Sequence, residues 1–330
     1  MSEGKRPANE LVNIDAIREA ADRISHWIHR TPILTCHALD EITGCEVLLK
    51  AEHLQRVGAF KSRGAHNAVM QIDDACAARG VAAHSSGNHA AAIALAARNR
   101  GIPAYVVMPS DVAQVKKDAV AGYGAEIVWS ESTMESREST LAEVIERTGA
   151  EAVHPFEDPR VINGQGTIGH ELAFQCAGEP PDFVIAPVGG GGLLAGLAVA
   201  MKSLMPDCEV VAAEPAGADD AYRSFHGGEW VPQTAPDTIA DGLLTSLGRI
   251  NFELIQEHVD DVVTVSEAGI IEAMRLLFTR TKQVIEPSGA VPLAAVLADS
   301  ERFAGKRVAI IASGGNVDLD TLPWVTTRTP

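Results

Sequence analysis

The chain has 330 residues, a formal net charge of −17, 46% hydrophobic residues and only 5% aromatic residues. So acidic a chain is not expected to bind nucleic acid or anionic membranes. It contains neither an apolar run of about 18 residues nor an apolar N-terminal segment, so we expect no membrane span and no signal peptide. Its five cysteines are scattered and form no Cys-x-x-Cys pair, which indicates a reducing, cytoplasmic compartment without a disulfide framework or zinc site.

Strand and helix patterns alternate along the first half of the chain. Asn13 stands where it would cap a helix from Ala16 towards Ile28, because apolar residues recur at helical spacing after it. Lys61 opens another helical stretch. Further strands are predicted at 46–51, 104–108 and 125–129, and further helices at 90–98, 112–123 and 134–147. This alternation predicts a small doubly wound unit between about 80 and 155, and the prolines of 154–159 mark its boundary.

In the second half, several predicted strands run into glycine-rich or polar turns. Gly164 to Thr167 precede a predicted helix over 168–176. The other predicted strands are 183–188, 209–213, 259–265 and 307–312, and the other predicted helices are 193–204, 267–281 and an alanine-rich stretch after Gly289. The aliphatic composition and this order of elements favour an α/β protein with parallel sheets.

Four consecutive glycines, Gly189 to Gly192, join a strand to a helix. Without side chains, their backbone N–H groups are free to converge on an anion, and the following helix points the positive end of its dipole at the same place. We interpret this turn as a phosphate-binding cup. The alternative is an ordinary flexible turn, which does not need four glycines.

Two cofactors would explain such a cup. The pattern Gly190-x-Gly192-x-x-Ala195, followed by Glu214 at a strand end, fits a dinucleotide site and so a nicotinamide-dependent oxidoreductase. That reading leaves Lys61 and Ser313 without a role. Pyridoxal phosphate needs a lysine for its aldehyde, an anion cup for its phosphate and a partner for its ring nitrogen.

Five segments of the chain carry a resemblance to a known family. They are Phe60-Lys61, Ser85–His89, Val188–Leu193, Ile285–Gly289 and Ser313–Asn316. In this order they resemble the serine racemase and threonine/serine dehydratase family, most closely its eukaryotic-type serine racemase branch. The resemblance implies the α/β fold type II of pyridoxal phosphate enzymes, similar to the tryptophan synthase β chain, with two doubly wound open-sheet domains. The large cofactor-binding domain would comprise 1–75 and 155–330, and a small mobile domain 76–154. It also implies a homodimer.

The resemblance assigns roles to individual residues. The Lys61 amine would bind the cofactor aldehyde covalently, with Phe60 and Glu286 near the ring, Asn88 at the phenolic oxygen and Ser313 at the ring nitrogen. The phosphate would be held by Gly189, Gly190, Gly191, Gly192 and the N–H of Leu193. The substrate carboxylate would be held by Ser85, Ser86, Gly87 and His89, with Arg137 also lining the cleft. A divalent ion, Mg²⁺ or else Ca²⁺ or Mn²⁺, would be bound by Glu214, the Ala218 carbonyl and Asp220.

The implied reaction is the dehydration and deamination of a 3-hydroxy amino acid such as threonine, serine or a 3-hydroxyaspartate. Lys61 would remove the α-proton, and a 2-oxo acid and ammonia would be released. Racemisation of serine or a related amino acid is the alternative, because Ser86 would serve the opposite face of the cofactor. Phe156 and Ala90 depart from the racemase pattern, which favours the dehydratase. The resemblance runs close to the end of the chain, so we expect no C-terminal regulatory domain and a catabolic role.

Overall fold

The structure is a computed structural model that describes residues 6–85, 87–112 and 114–325. Its strands form two separate sheets. The strands are β1 (Ile33–Leu34), β2 (Glu46–Lys50), β3 (Val81–His84), β4 (Ala104–Pro109), β5 (Glu126–Ser130), β6 (Glu151–Ala152), β7 (Phe183–Pro187), β8 (Glu209–Pro215), β9 (Asp261–Val265) and β10 (Arg307–Ile311).

Helices cover the sheets and connect most of the strands. They are α1 (Ala8–Leu11), α2 (Ile14–Ile24), α3 (His37–Thr43), α4 (Lys61–Gln71), α5 (Asp74–Ala77), α6 (Asn88–Arg100), α7 (Gln114–Gly122), α8 (Met134–Thr148), α9 (Pro159–Gln175), α10 (Gly192–Leu204), α11 (Asp220–Gly227), α12 (Arg249–His258), α13 (Glu267–Leu276), α14 (Pro287–Ala298) and α15 (Ser300–Phe303). In the described ranges, no helix combines the length and the hydropathy that crossing a bilayer requires.

The larger sheet has the strand order β1-β2-β10-β7-β8-β9, and all its pairs are parallel except β1 with β2. The smaller sheet has the order β5-β4-β3-β6 and is parallel throughout. All five residues of β7 are buried, as expected for a strand covered by helices on both faces. The predicted α/β class with two open sheets is confirmed. The predicted domain limits and the mobility of the smaller domain stay predictions.

Three predicted helices have limits that differ from the structure by four residues or more. The predicted helix 267–281 is α-helical only to Leu276 and continues as a π-helix over Leu277–Thr281. Asn13 caps α2 as predicted, since its side chain accepts a hydrogen bond from Ala16 N at 3.0 Å, but the helix ends at Ile24 instead of near Ile28. The predicted start of the next helix at Ile168 is wrong, because Gly164 to Thr167, which were expected to precede it, lie inside α9, which begins at Pro159. The glycines there serve helix packing.

The helices α4, α9 and α10 pack so closely that side chains cannot fit between them. A Cβ on Gly164 would lie 2.6 Å from the Cα of Gly64, and a Cβ on Gly196 would lie 2.7 Å from the backbone nitrogen of Gly166. The distance between packed helices depends on the size of the residues at their contact. These glycines therefore bring the helix that begins at Lys61 close to the large sheet.

The parallel topology gathers several turns at one edge of the large sheet. The glycine turn follows β7, Ser313 follows β10, and α4 comes after β2 with two short 3-10 helices between them. In open α/β sheets, this carboxyl edge is where ligands bind.

Candidate active site

Lys61 is the first residue of α4, and its amine points towards the segment that enters α9. Its Nζ atom donates a hydrogen bond to the carbonyl oxygen of Pro155 at 2.9 Å and lies 5.1 Å from the centre of the Phe60 ring. Burial lowers the pKa of this amine to about 8. A lysine in this state loses its proton readily, and its neutral form is a nucleophile and a base.

The glycine turn is tightly enclosed. Gly191 caps α10 with φ at +88°, a conformation that other residues rarely adopt. A Cβ on Gly190 would lie 2.3 Å from the ring of Phe156, and a Cβ on Gly189 would lie 2.9 Å from the Cα of Leu243. The turn is therefore a cradle that only backbone can form, ahead of a helix of 13 residues, and it fits an anion held by N–H groups.

Asn251 fixes the glycine turn, and the sequence reasoning missed it. Its Nδ2 atom donates to the carbonyl oxygens of Gly190 at 2.6 Å and of Phe156 at 2.8 Å. It lies in the first turn of α12, where no motif distinguishes it from an ordinary helix residue.

The segment Pro155–Phe156 joins the amine to the cradle. Pro155 accepts the hydrogen bond from Lys61, and the next residue packs its ring on Gly190. The structure thus brings the predicted lysine and the predicted phosphate cup to the same short segment.

Ser313 reaches the same place from β10. It is buried, and its carbonyl oxygen accepts a hydrogen bond from the backbone N–H of Phe60 at 3.0 Å. Gly314 forms an isolated bridge with Ala59. The residue predicted to face the cofactor ring therefore lies beside the residue that precedes Lys61.

Asn88 and Glu286 are in direct contact. Asn88 Nδ2 donates to Glu286 Oε1 at 2.8 Å, and both side chains also bond to Asn316. Burial raises the pKa of Glu286 to about 7, and the charge of Asp241 adds to this rise. Asn316 was part of a motif in the sequence but had no predicted role.

The segment predicted to hold the substrate carboxylate is described only in part. Ser86 lies outside the described residues. Ser85 Oγ accepts a hydrogen bond from the N–H of Gly87 at 3.3 Å, and Gly87 stands at the start of α6. His89 is buried, its Nε2 contacts the carbonyl oxygen of Val153 at 3.1 Å, and its Nδ1 has no partner within the described ranges.

Two histidines, His89 and His154, lie close to the lysine, and His84 lies beside His154. Burial lowers the pKa of His89 to about 3 and of His154 to about 4, and the charge of Lys61 contributes to both. The rings of His84 and His154 are 6.3 Å apart, and burial lowers the pKa of His84 too. These side chains are therefore neutral near pH 7 and can donate or accept hydrogen bonds.

Two charges on α8 act on the pKa of His84: the carboxylate of Glu138 raises it, and the guanidinium of Arg137 lowers it by a smaller amount. The Nη2 atom of Arg137 donates to the carbonyl oxygen of Ser132 at 3.1 Å. Its Nε is buried and has no acceptor among the described residues.

The predicted metal ligands lie at the end of β8 and the start of α11. Glu214 and Asp220 are fully buried, and within the described ranges neither forms an ion pair. Burial raises the pKa of Glu214 to about 9 and of Asp220 to about 6. Two buried carboxylates near the buried Ala218 are an oxygen donor set that suits a hard divalent ion. The described residues hold no cluster of three or more acidic, histidine or cysteine side chains, so two carboxylates and a carbonyl are the whole candidate set.

Glu214 is not arranged to bind a ribose. Its two carboxylate oxygens accept hydrogen bonds from the N–H groups of Ala221 and Tyr222, at 3.1 and 2.9 Å. The side chain is fully buried, so a nucleotide ribose cannot reach it, and the dinucleotide reading has no support in the geometry.

The fold and the site define an α/β enzyme whose cofactor carries a phosphate and reacts with a lysine. The chain matches the model of the pyridoxal-phosphate dependent enzyme family over residues 24–314, and it belongs to that family. The predicted family, fold class and pyridoxal phosphate cofactor are therefore confirmed, and the predicted divalent ion stays a prediction.

Three known proteins illustrate the likeness. The chain is 51% identical to the beta-hydroxyaspartate dehydratase of Paracoccus denitrificans (strain Pd 1222), over 92% of this chain and 96% of the relative. It is 48% identical to the serine racemase of Arabidopsis thaliana, over 94% of this chain and 95% of the relative. The structure of maize serine racemase matches with a TM-score of 0.92 at 42% identity, over 94% of this chain and 96% of the other. The predicted enzyme class, a lyase acting on a hydroxy amino acid with racemases as near relatives, agrees with these matches.

Proposed function

We propose that the protein eliminates water from a 3-hydroxyaspartate and releases a 2-oxo acid and ammonia. The observation that carries the proposal is the buried Lys61 amine, held at Pro155 beside the glycine turn. The 51% identity to a beta-hydroxyaspartate dehydratase supports the choice of substrate.

The chain's own residues supply the binding and proton-transfer groups. When bound, pyridoxal phosphate draws electrons from the substrate α-carbon. The Lys61 amine, with its pKa near 8, takes the α-proton in its neutral form. The β-hydroxyl takes up one proton, which balances the one that Lys61 removed, and leaves as water. The released enamine takes up water to give the 2-oxo acid and ammonia. The N–H groups of Gly189 to Gly192 hold the phosphate, and those around Gly87 hold the α-carboxylate.

A 3-hydroxyaspartate differs from serine by a second carboxylate, which needs its own partner. Arg137 has a buried Nε without an acceptor in the described part of the chain, and it lies beside His84. A cavity of about 250 Å³ is lined by His84, Leu141, Ala152, Val153, His154, Glu157 and Asp158, and Arg137 is not part of this lining. We assign the second carboxylate to Arg137, with the neutral histidines as further donors.

The test is a panel of 3-hydroxyaspartate isomers, L-serine and L-threonine, assayed for ammonia and 2-oxo acid. Arg137→Met should raise KM for the hydroxyaspartate by about 10- to 100-fold, because a charge-assisted hydrogen bond is lost, and change KM for serine less than twofold. The matched control is Arg147→Met on the same helix, whose guanidinium pairs with Glu126 at the surface. Equal losses for both substrates would contradict the assignment.

Serine racemisation is a second candidate, supported by the 48% identity to a serine racemase and by Ser86 in the sequence. Ser86→Ala should abolish the interconversion of L- and D-serine while elimination from the L-substrate continues. Chiral chromatography of the serine pool measures the first, and ammonia release the second. Loss of both activities together would contradict a separate role for Ser86.

We further propose Mg²⁺, or else Ca²⁺ or Mn²⁺, at Glu214, Ala218 and Asp220, and a cytoplasmic homodimer. The cysteines of the described residues are all free thiols, which agrees with a reducing compartment. Light scattering during size exclusion tests the dimer.

We also propose that the large domain comprises 1–75 with 155–330 and that the small domain comprises 76–154. Lys116 on α7 forms an ion pair with Asp241, a contact that closure of the smaller domain would make and opening would break.

A further inference from the structure

Asn88, Glu286 and Asn316 form a closed ring of hydrogen bonds. Asn88 Nδ2 donates to Glu286 Oε1 at 2.8 Å, Asn316 N donates to Glu286 Oε2 at 3.1 Å, and Asn316 Nδ2 donates to Asn88 Oδ1 at 2.8 Å. The three residues come from the start of α6, the residue before α14 and the turn after β10. The ring therefore connects α6, which follows a strand of the smaller sheet, with elements of the larger sheet, at the edge that carries the site.

The ring determines which way the Asn88 amide faces. An ionised carboxylate only accepts hydrogen bonds, and the Asn316 amide nitrogen only donates them. If the Asn88 amide were reversed, its oxygen would face the carboxylate, which is also an acceptor, and its nitrogen would face the Asn316 nitrogen, which is also a donor. Neither pair could form a hydrogen bond. In the observed orientation, one of the two N–H bonds on Asn88 Nδ2 is used by Glu286, and the second has no acceptor among the described residues.

Gly314 allows the carboxylate to approach. A Cβ on Gly314 would lie 2.3 Å from Glu286 Oε1 and 3.1 Å from Asn88 Nδ2. The same glycine bridges to Ala59, and its neighbour Ser313 bonds to Phe60. The ring thus packs directly on the turn that lies beside Lys61.

We propose that Glu286 and Asn316 are positioning residues, which hold the Asn88 amide with its spare N–H towards the phenolic oxygen of the bound cofactor, and that only the ionised Glu286 does so. This inference rests on the proposed function, since it requires pyridoxal phosphate at this site. Neither residue touches the reacting atoms, and both act through Asn88.

Protonation of Glu286 would break the arrangement. A neutral carboxyl group carries a hydrogen, and both of its neighbours in the ring are donors, so one of the two bonds is lost. Burial raises the pKa of Glu286 to about 7, the charge of Asp241 raises it too, and Asn88, Lys116 and the N–H of Asn316 lower it. The carboxyl group therefore changes its charge near neutral pH.

The test measures cofactor binding by the apoprotein. The dissociation constant of pyridoxal phosphate is determined between pH 6 and pH 8, together with the protons released on binding, by calorimetry in two buffers. Glu286→Gln is compared with Glu267→Gln, a matched change at a carboxylate that accepts a hydrogen bond from the Ile239 N–H outside the ring. Asn316→Ala is the second ring variant, in case Glu286→Gln does not fold.

The expected results differ between the variants. In the wild type and in Glu267→Gln, the dissociation constant should rise about tenfold from pH 8 to pH 6 through this one group, because a group with a pKa near 7 gains its proton over that range. Glu286→Gln should bind pyridoxal phosphate more weakly at pH 8. It should show neither the tenfold rise of the dissociation constant nor the release of a proton that comes from this group. Asn316→Ala should also bind more weakly at pH 8.

Two results would overturn the inference. One is a Glu286→Gln protein with the affinity and proton release of Glu267→Gln. The other is an Asn316→Ala protein that binds pyridoxal phosphate at pH 8 as tightly as the wild type does. Failure of the wild type to bind pyridoxal phosphate at pH 8 would instead overturn the proposed function, so the two failures can be distinguished.

Discussion

The Lys61 amine donates a hydrogen bond to the carbonyl oxygen of Pro155, at 2.9 Å. The next residue, Phe156, packs its ring where a side chain on Gly190 would stand. One peptide segment thus fixes the distance between the amine and the glycine turn. A displacement of this segment is expected to affect both the covalent attachment of the cofactor and the binding of its phosphate.

Replacement of the lysine tests its chemistry. Lys61→Met should lower ammonia release by at least about 10²–10⁴-fold, the usual contribution of a general base, and abolish covalent cofactor attachment. Mass spectrometry after borohydride reduction measures the attachment. Lys117→Met, which removes a lysine near Trp129 on the surface, is the control and should keep both properties. A covalent adduct in Lys61→Met would contradict the assignment.

The pKa of Lys61 also predicts how the stability of the apoprotein changes with pH. The unfolded amine keeps its proton up to about pH 10.4, whereas burial lowers the folded pKa to about 8. Between these values the unfolded state binds more protons, so the folded state gains stability as the pH rises. Lys61→Met should therefore be more stable than the wild type at pH 7, and the difference should shrink from pH 8 to pH 10.5. Urea unfolding of both apoproteins measures it, and a constant difference would refute the shifted pKa.

A side chain in the glycine turn should displace Phe156. Gly190→Ala places a Cβ 2.3 Å from the ring of Phe156, and such overpacking costs about 1–3 kcal/mol. We expect weaker binding of both pyridoxal phosphate and inorganic phosphate, measured by equilibrium titration. Gly178→Ala is the control, because nothing lies within 4 Å of a Cβ there. Unchanged phosphate affinity in Gly190→Ala would argue against the cradle.

The helix contact at Gly164 should be sensitive to one methyl group. A Cβ there would lie 2.6 Å from the Cα of Gly64 and 2.9 Å from the carbonyl oxygen of Arg63. These are backbone atoms that cannot rotate away, so Gly164→Ala should destabilise the protein by about 1–3 kcal/mol or more. Chemical denaturation gives the value, again with Gly178→Ala for comparison. Equal stability of the two variants would show that the helices can separate freely.

Removal of one buried carboxylate should remove the response to a divalent ion. Mg²⁺ should raise the melting temperature of the wild type, since a ligand that binds only the folded state stabilises it, and EDTA should reverse the effect. Glu214→Gln should lose the response. Asp219→Asn, which changes a partly exposed neighbour paired with Arg223, should keep it. A Mg²⁺ response in Glu214→Gln equal to that of the wild type would exclude this site.

Much of the site could be predicted from the sequence alone, because its parts are local patterns. Lys61 at a helix start, four glycines between a strand and a helix, and Ser313 after a final strand are each recognisable within about ten residues. Their common position at the carboxyl edge follows from the parallel α/β order. The resemblance of the segments, in their order, then indicated the cofactor and the reaction class.

The tertiary structure decided the contacts between distant segments. Asn88 and Glu286 are 198 positions apart, and Asn88 and Asn316 are 228 apart. No local pattern connects such residues, since their approach depends on the strand order of two sheets. Gly164 shows the same limit: glycines inside a helix and glycines of a turn look alike in sequence, and only the packing of α4 on α9 distinguishes them. The sequence thus determined the chemical groups of the site, and the packing of its elements determined which of them hold one another in place.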